Sequence, residues 1–112
     1  MVIDTNVTTI IGRLTKDAEL KQEPLQIGFF TIATNQKKKN SDGSQEPEAS
    51  FFDVNVFGNY AEVIIPQLKK GQQVSIIAEL KQERWTDKEG NKKTRILLVA
   101  KSIQIIGGKN AQ

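Results

Sequence analysis

Apolar residues along this chain recur with a period of two rather than 3.6, the pattern of half-buried strands. Five stretches carry it. Val7 to Leu14, Ile27 to Thr34, Phe51 to Phe57, Val74 to Arg84 and Thr94 to Ile106 each read as a strand. Gly12 and Gly28 are soft spots in the first two, where a bulge or a sharp bend lets a small barrel turn a corner. Helical spacing occurs once. Asn59 and Glu62 stand at capping-box distance, Tyr60, Ala61, Val63, Ile64 and Leu68 follow, and Gly71 stops the segment. Pro66 removes a hydrogen bond to residue 62 and should shorten or kink that helix. Residues 35–49 lack alternation and hold three lysines, Asn40 to Ser44 and Glu46-Pro47-Glu48, so they read as a long mobile loop.

Three strands, one helix and a two-strand hairpin, in that order, give an all-β fold with one short helix. The order is that of the OB-fold, a five-stranded Greek-key barrel, here with a long β-hairpin turning at Gly90-Asn91. A chain of 112 residues fits one domain. We assign residues 1–107 to it and residues 108–112 to the start of a flexible tail.

Composition removes several functions. The chain has no cysteine and no histidine, which takes away disulfides, thiolate chemistry, the commonest general base and the commonest metal ligand. No phosphate-cradling glycine loop or nucleophile–base arrangement is visible, so no catalytic residue is assigned. Asp17, Glu19, Asp87 and Glu89 lack the spacing of a calcium loop and are read as solvated charges, so neither metal nor cofactor is expected. No apolar run reaches membrane-spanning length, and Met1 to Thr9 has no secretory h-region.

Charge is distributed unevenly. The whole chain carries +3, whereas Lys81 to Lys101 holds seven bases against three acids, a net +4, together with the single tryptophan. Trp85 heads the hairpin among charged neighbours and is a candidate base-stacking platform. Phe51 and Phe57 share a parity with Asp53 and Asn55, a wet face on which aromatics are platforms too. Phe52 lies on the Val54 and Val56 side and belongs to the core. Of the adjacent Phe29 and Phe30, one must point away from it. Candidate phosphate contacts are Arg13, Lys37, Lys38, Lys39, Lys81, Arg84, Lys92, Lys93 and Arg95. Flat faces for bases plus cations for the backbone are what sequence-independent single-strand binding needs.

The chain resembles the bacterial-type single-stranded DNA-binding protein family from about residue 6 to residue 108. The resemblance is carried by Asn6-Val7 through Leu14 with Lys16 to Leu20, by Val56 to Glu62, by Leu68 to Gly71 with Val74, and by Arg84 to Asp87 with Gly90. It implies an OB-fold protein, usually a homotetramer, that wraps single-stranded DNA and protects it in replication, repair and recombination. It also implies a cytoplasmic, nucleoid-associated location. By the same likeness Phe51 stands where the family usually has a stacking Trp, and Phe57 and Trp85 match two further platforms. The chain departs from the family near Lys38, where a fourth aromatic is missing, at Asp53, where a base is frequent, and at Gln67, where Tyr is frequent. The acidic C-terminal tip that recruits replication and repair proteins has no counterpart here, so such partners are expected only of a chain that carries one. Dimeric, tailless replication-restart accessory proteins of the same lineage, and OB modules that bind protein or sugar, are the competing readings.

Overall fold

A computed structural model describes residues 3–108. It contains strands β1 (Thr8–Leu14), β2 (Glu19–Lys21), β3 (Ile27–Lys39), β4 (Gln45–Phe57), β5 (Gln73–Thr86) and β6 (Lys92–Gly107). Helix α1 (Asn59–Ile64) and a 3-10 turn (Ile65–Gln67) separate β4 from β5. The strands are hydrogen-bonded in the order β1-β5-β6-β4-β3-β2, and β1 also pairs with β3 through Arg13↔Ala33 and Leu14↔Ile32. That second pairing closes β1, β3, β4, β6 and β5 into a five-stranded barrel, and β2 is a short lip on β3. The contact between β4 and β6 is parallel and the others are antiparallel. This is the expected OB-fold.

Alternation along each barrel strand follows from closure, because one face must fill the interior while the other stays wet. Ile32, Val54, Val56, Val74 and Ile76 are completely buried. The helical segment plugs one end of the barrel with Ala61, Ile64, Ile65 and Leu68. Gly28 lets the plug seat, since a Cβ there would overlap the Ile65 side chain. Tyr60, open to several readings from sequence, is half-buried against this core. Its hydroxyl accepts from the Ile103 backbone N–H at 2.7 Å and donates to the Ile103 carbonyl at 3.3 Å, tying the helix to β6.

Three expectations need correction. Residues 35–49 are not a loop. They form the outer half of a β3–β4 hairpin paired through Lys39↔Gln45. The turn at its tip is built by Asn40, Asp42 and Ser44, and Gly43 has φ 90°. The carboxyl of Asp42 is held below its ordinary range, first by the Ser44 hydroxyl and then by the Ser44 N–H. Pro47 is tolerated because both strands of a two-stranded arm are edges. The capping box does not form. Gly58 is the N-cap, its carbonyl accepting from Ala61 and Glu62, and Asn59 makes no side-chain cap bond. Pro66 shortens the helix as expected, turning it into the 3-10 segment after Ile64.

Of the two readings of Gly12, the corner holds and the bulge does not. There β1 passes from β5 to β3, and a Cβ would sit 2.8 Å from the Ala33 carbonyl oxygen, while the register shifts lie in the β5–β6 pair. Phe52, expected in the core, is 39% exposed. It has the inward parity, but β4 pairs with β6 only at Val54 and Asn55, so no neighbour covers it.

The two long hairpins extend past the barrel. The radius of gyration is 16.3 Å, against about 13 Å for a compact chain of this length. The tail expected from residue 108 lies, Gly108 apart, outside the described residues.

Candidate nucleic-acid interface

The outward parity of β3 and β4 defines one surface. Register sets Ile27 opposite Phe57, Phe29 opposite Asn55, Thr31 opposite Asp53 and Ala33 opposite Phe51. Phe51 is 64% exposed, and Phe29 and Phe57 are each 39% exposed. Large apolar rings kept this wet within a strand are not there for the core. Phe30 is buried, so Phe29 is the outward member of that pair. It is an exposed ring the sequence left undecided, because parity in a strand cannot be read before the register is known.

The second hairpin continues this surface. Trp85 lies opposite Lys93, Glu83 opposite Arg95 and Lys81 opposite Leu97. Trp85 is 46% exposed, and the Lys81 ammonium stands 5.9 Å from the centre of the Phe57 ring, within cation–π range. Arg95 bonds to Asp53 across the gap between the hairpins, which joins the two outer faces. Two adjoining grooves result. One is lined by Lys81, Glu83, Arg84, Trp85 and Arg95, the other by Lys21, Phe29, Thr31, Asp53, Asn55 and Arg95. A third hollow, on the β5–β6 hairpin, takes Trp85 with Lys92 and Lys93. Lys21 had no signal in sequence, since it sits on a three-residue strand without alternation.

The expected phosphate contacts divide by parity. Lys37 and Lys39 share the outward parity of Phe51, as Lys81, Lys93 and Arg95 share that of Trp85. Lys38 has the opposite parity and lies 3.9 Å from Glu48. Arg84 and Lys92 also have the opposite parity, Arg84 donating to Gln82 at 2.6 Å. Lys93 is 3.9 Å from Asp87. Arg13 is drawn away from the grooves. Its guanidinium donates to the Gly71 carbonyl at 2.8 Å and to that of Gly108 at 3.3 Å, clasping the helix exit to the end of β6.

Chemically the surface offers rings that stack on any base and cations that meet a backbone. Among the described residues, no group of three or more Asp and Glu is placed to hold a metal ion, and no helix is long and apolar enough to cross a membrane.

Comparison with known proteins points the same way. The chain matches the family described as the Single-strand binding protein family over residues 5–106. A single-stranded DNA-binding protein of Wolinella succinogenes is 40% identical over 108 residues, which cover 95% of this chain and 67% of that protein. One from Helicobacter hepaticus is 41% identical over 106 residues, covering 93% of this chain and 62% of that protein. The crystal structure of a deletion mutant of the single-stranded DNA binding protein from Thermus aquaticus has a TM-score of 0.81 at 25% identity, with 96% of this chain and 53% of that one covered.

Proposed function

This chain belongs to the single-strand binding protein family, and from that premise we propose that it coats and protects single-stranded DNA in replication, repair and recombination, without sequence preference and without catalysing a reaction. The observation that carries this is the continuous outer face on which Phe51, Phe57, Phe29 and Trp85 alternate with Lys37, Lys39, Lys81 and Lys93. Stacking contributes about 1–3 kcal/mol per base and is blind to sequence, because every base has a π-face. Each phosphate neutralised on a single strand adds about −0.7 to the log–log salt slope. Arg84 and Lys92, which line the hollows beside Trp85 in spite of their parity, add contacts along the β5–β6 arm, whereas Lys38, beside Glu48, is left out of the path. The binding domain is residues 1–107, in a cytoplasmic, nucleoid-associated protein.

Self-association fits the same reading. Ile11 and Ile77 are exposed on the same outer face of β1 and β5, diagonal to each other with Ile77 opposite Thr9 and Ile11 opposite Ser75, and β1 pairs with β3 only at its end. An apolar face beside a free strand edge is a surface for a second copy. We propose a homotetramer, with a dimer as the smaller assembly. Replication and repair proteins join only where a longer chain carries an acidic tip.

The test is a titration with poly-dT of about 35 nucleotides, several times the ~4–16 nucleotides one OB fold occupies. Fluorescence of the sole tryptophan is followed at about 50 mM and about 200 mM salt, against a duplex control. Quenching with tight, salt-weakened binding to the single strand alone is the expected result. Equal affinity for duplex, or no binding, rejects the proposal.

Parity makes a second expectation sharp. Exchanging both Lys37 and Lys39 for glutamine should flatten the salt slope by about 1.4, two phosphates' worth. Lys38→Gln should leave it unchanged. Equal effects from all three would mean that the whole tip, not one face, meets the strand.

A further inference from the structure

One cation of this surface is not free. The Arg95 Nε donates to Glu83 Oε1 at 2.7 Å, and its Nη1 reaches Asp53 Oδ2 at 3.4 Å. Asp53 is held in turn by Thr31, whose hydroxyl donates to Oδ1 at 2.9 Å. Arg95 is also the residue that the two grooves share. The guanidinium at their junction therefore carries two carboxylates, and the three groups together are net −1. This cluster is an anionic spot within grooves that Lys21, Lys81 and Arg84 leave cationic.

We infer that Asp53 and Glu83 compete with DNA for Arg95, holding it off the phosphates so that a strand crosses between the grooves without a charge contact there. The inference rests on the proposed single-strand binding. A carboxylate and a phosphate engage the same planar fork of guanidinium donors, so Arg95 cannot serve both fully. Giving it to a phosphate leaves Asp53 and Glu83 unpaired beside a polyanion, well within the ~8–10 Å over which salt fails to screen them. Each pair is solvent-exposed and individually weak. The result is a competition that lowers affinity, not a lock that forbids it.

The experiment measures salt slopes for poly-dT on four proteins: the unaltered chain, R95Q, D53N/E83Q and the triple variant. D53N/E83Q should bind on the order of tenfold tighter at moderate salt and steepen the slope by about 0.7, one added phosphate. R95Q alone should leave the slope unchanged, whereas in the D53N/E83Q background it should remove the gain. A slope already flattened by R95Q alone shows Arg95 on a phosphate and overturns the inference. A steepening in D53N/E83Q that survives R95Q also overturns it, because the gain is then mere loss of negative charge. If the unaltered chain binds no single strand, the functional reading itself falls, and the first titration shows that before any variant is made.

Discussion

Trp85→Ala is expected to weaken poly-dT binding by about 1–3 kcal/mol, roughly 5- to 150-fold, with little change in thermal stability. The ring is 46% exposed and stands outside the buried core cluster. It lines two hollows along the β5–β6 hairpin, so a base can meet it in the groove shared with Arg95 or beside Lys92 and Lys93. Truncation removes the flat surface and leaves the cations, so the salt slope should hold while the affinity falls. Removing Lys37 and Lys39 should do the converse to the slope. A Trp85→Ala variant that binds as tightly as the parent would make the ring a packing residue of the hairpin and shift the stacking role to Phe51, Phe57 and Phe29.

What sequence discloses here is burial, and only through burial does it disclose strands. Ile32, Val54, Val56, Val74 and Ile76 alternate with wet neighbours because a closed barrel has one interior, and that pattern identified the fold. The arm from Asn35 to Ala49 has solvent on both faces, so nothing in it alternates in hydrophobicity. It is equally a strand pair, but its evidence is register: Lys38 across from Glu46, Gln36 across from Glu48. The local signal available was Asp42-Gly43, a hairpin-turn pair set within polar sequence. The same lack of register left Phe29 and Phe30 undecided. It also placed Arg95 and Arg13 among free cations, although one is clamped by acids from two other strands and the other is bound to carbonyls of Gly71 and Gly108. The exposed rings of Phe51, Phe57 and Trp85 were legible because their same-parity or flanking neighbours in sequence are polar or charged. Charged residues carry no such signal, and their roles emerge only when their neighbours are known.

Stability and binding reside in different parts of this chain, and Leu68→Ala is the substitution that separates them. Pro66 ends the α-helix early, and the 3-10 turn that follows swings Leu68 into the barrel, where it is completely buried. Its backbone is fixed as well. The Leu68 N–H donates to the Ile65 carbonyl at 3.0 Å, and its own carbonyl accepts from Ala18 at 3.0 Å. The surrounding backbone cannot easily collapse onto a smaller side chain, so a cavity should remain. Leu-to-Ala changes at such sites cost about 2–5 kcal/mol, a large part of the ~5–15 kcal/mol that holds a domain of this size folded. The urea midpoint should fall accordingly, with the m-value unchanged. Leu68 lines neither groove, so the fraction that remains folded should bind poly-dT with the parent's affinity and salt slope. Loss of affinity in the folded fraction would mean that the plugged end of the barrel sets the geometry of the platforms, and that binding is not confined to the outer face.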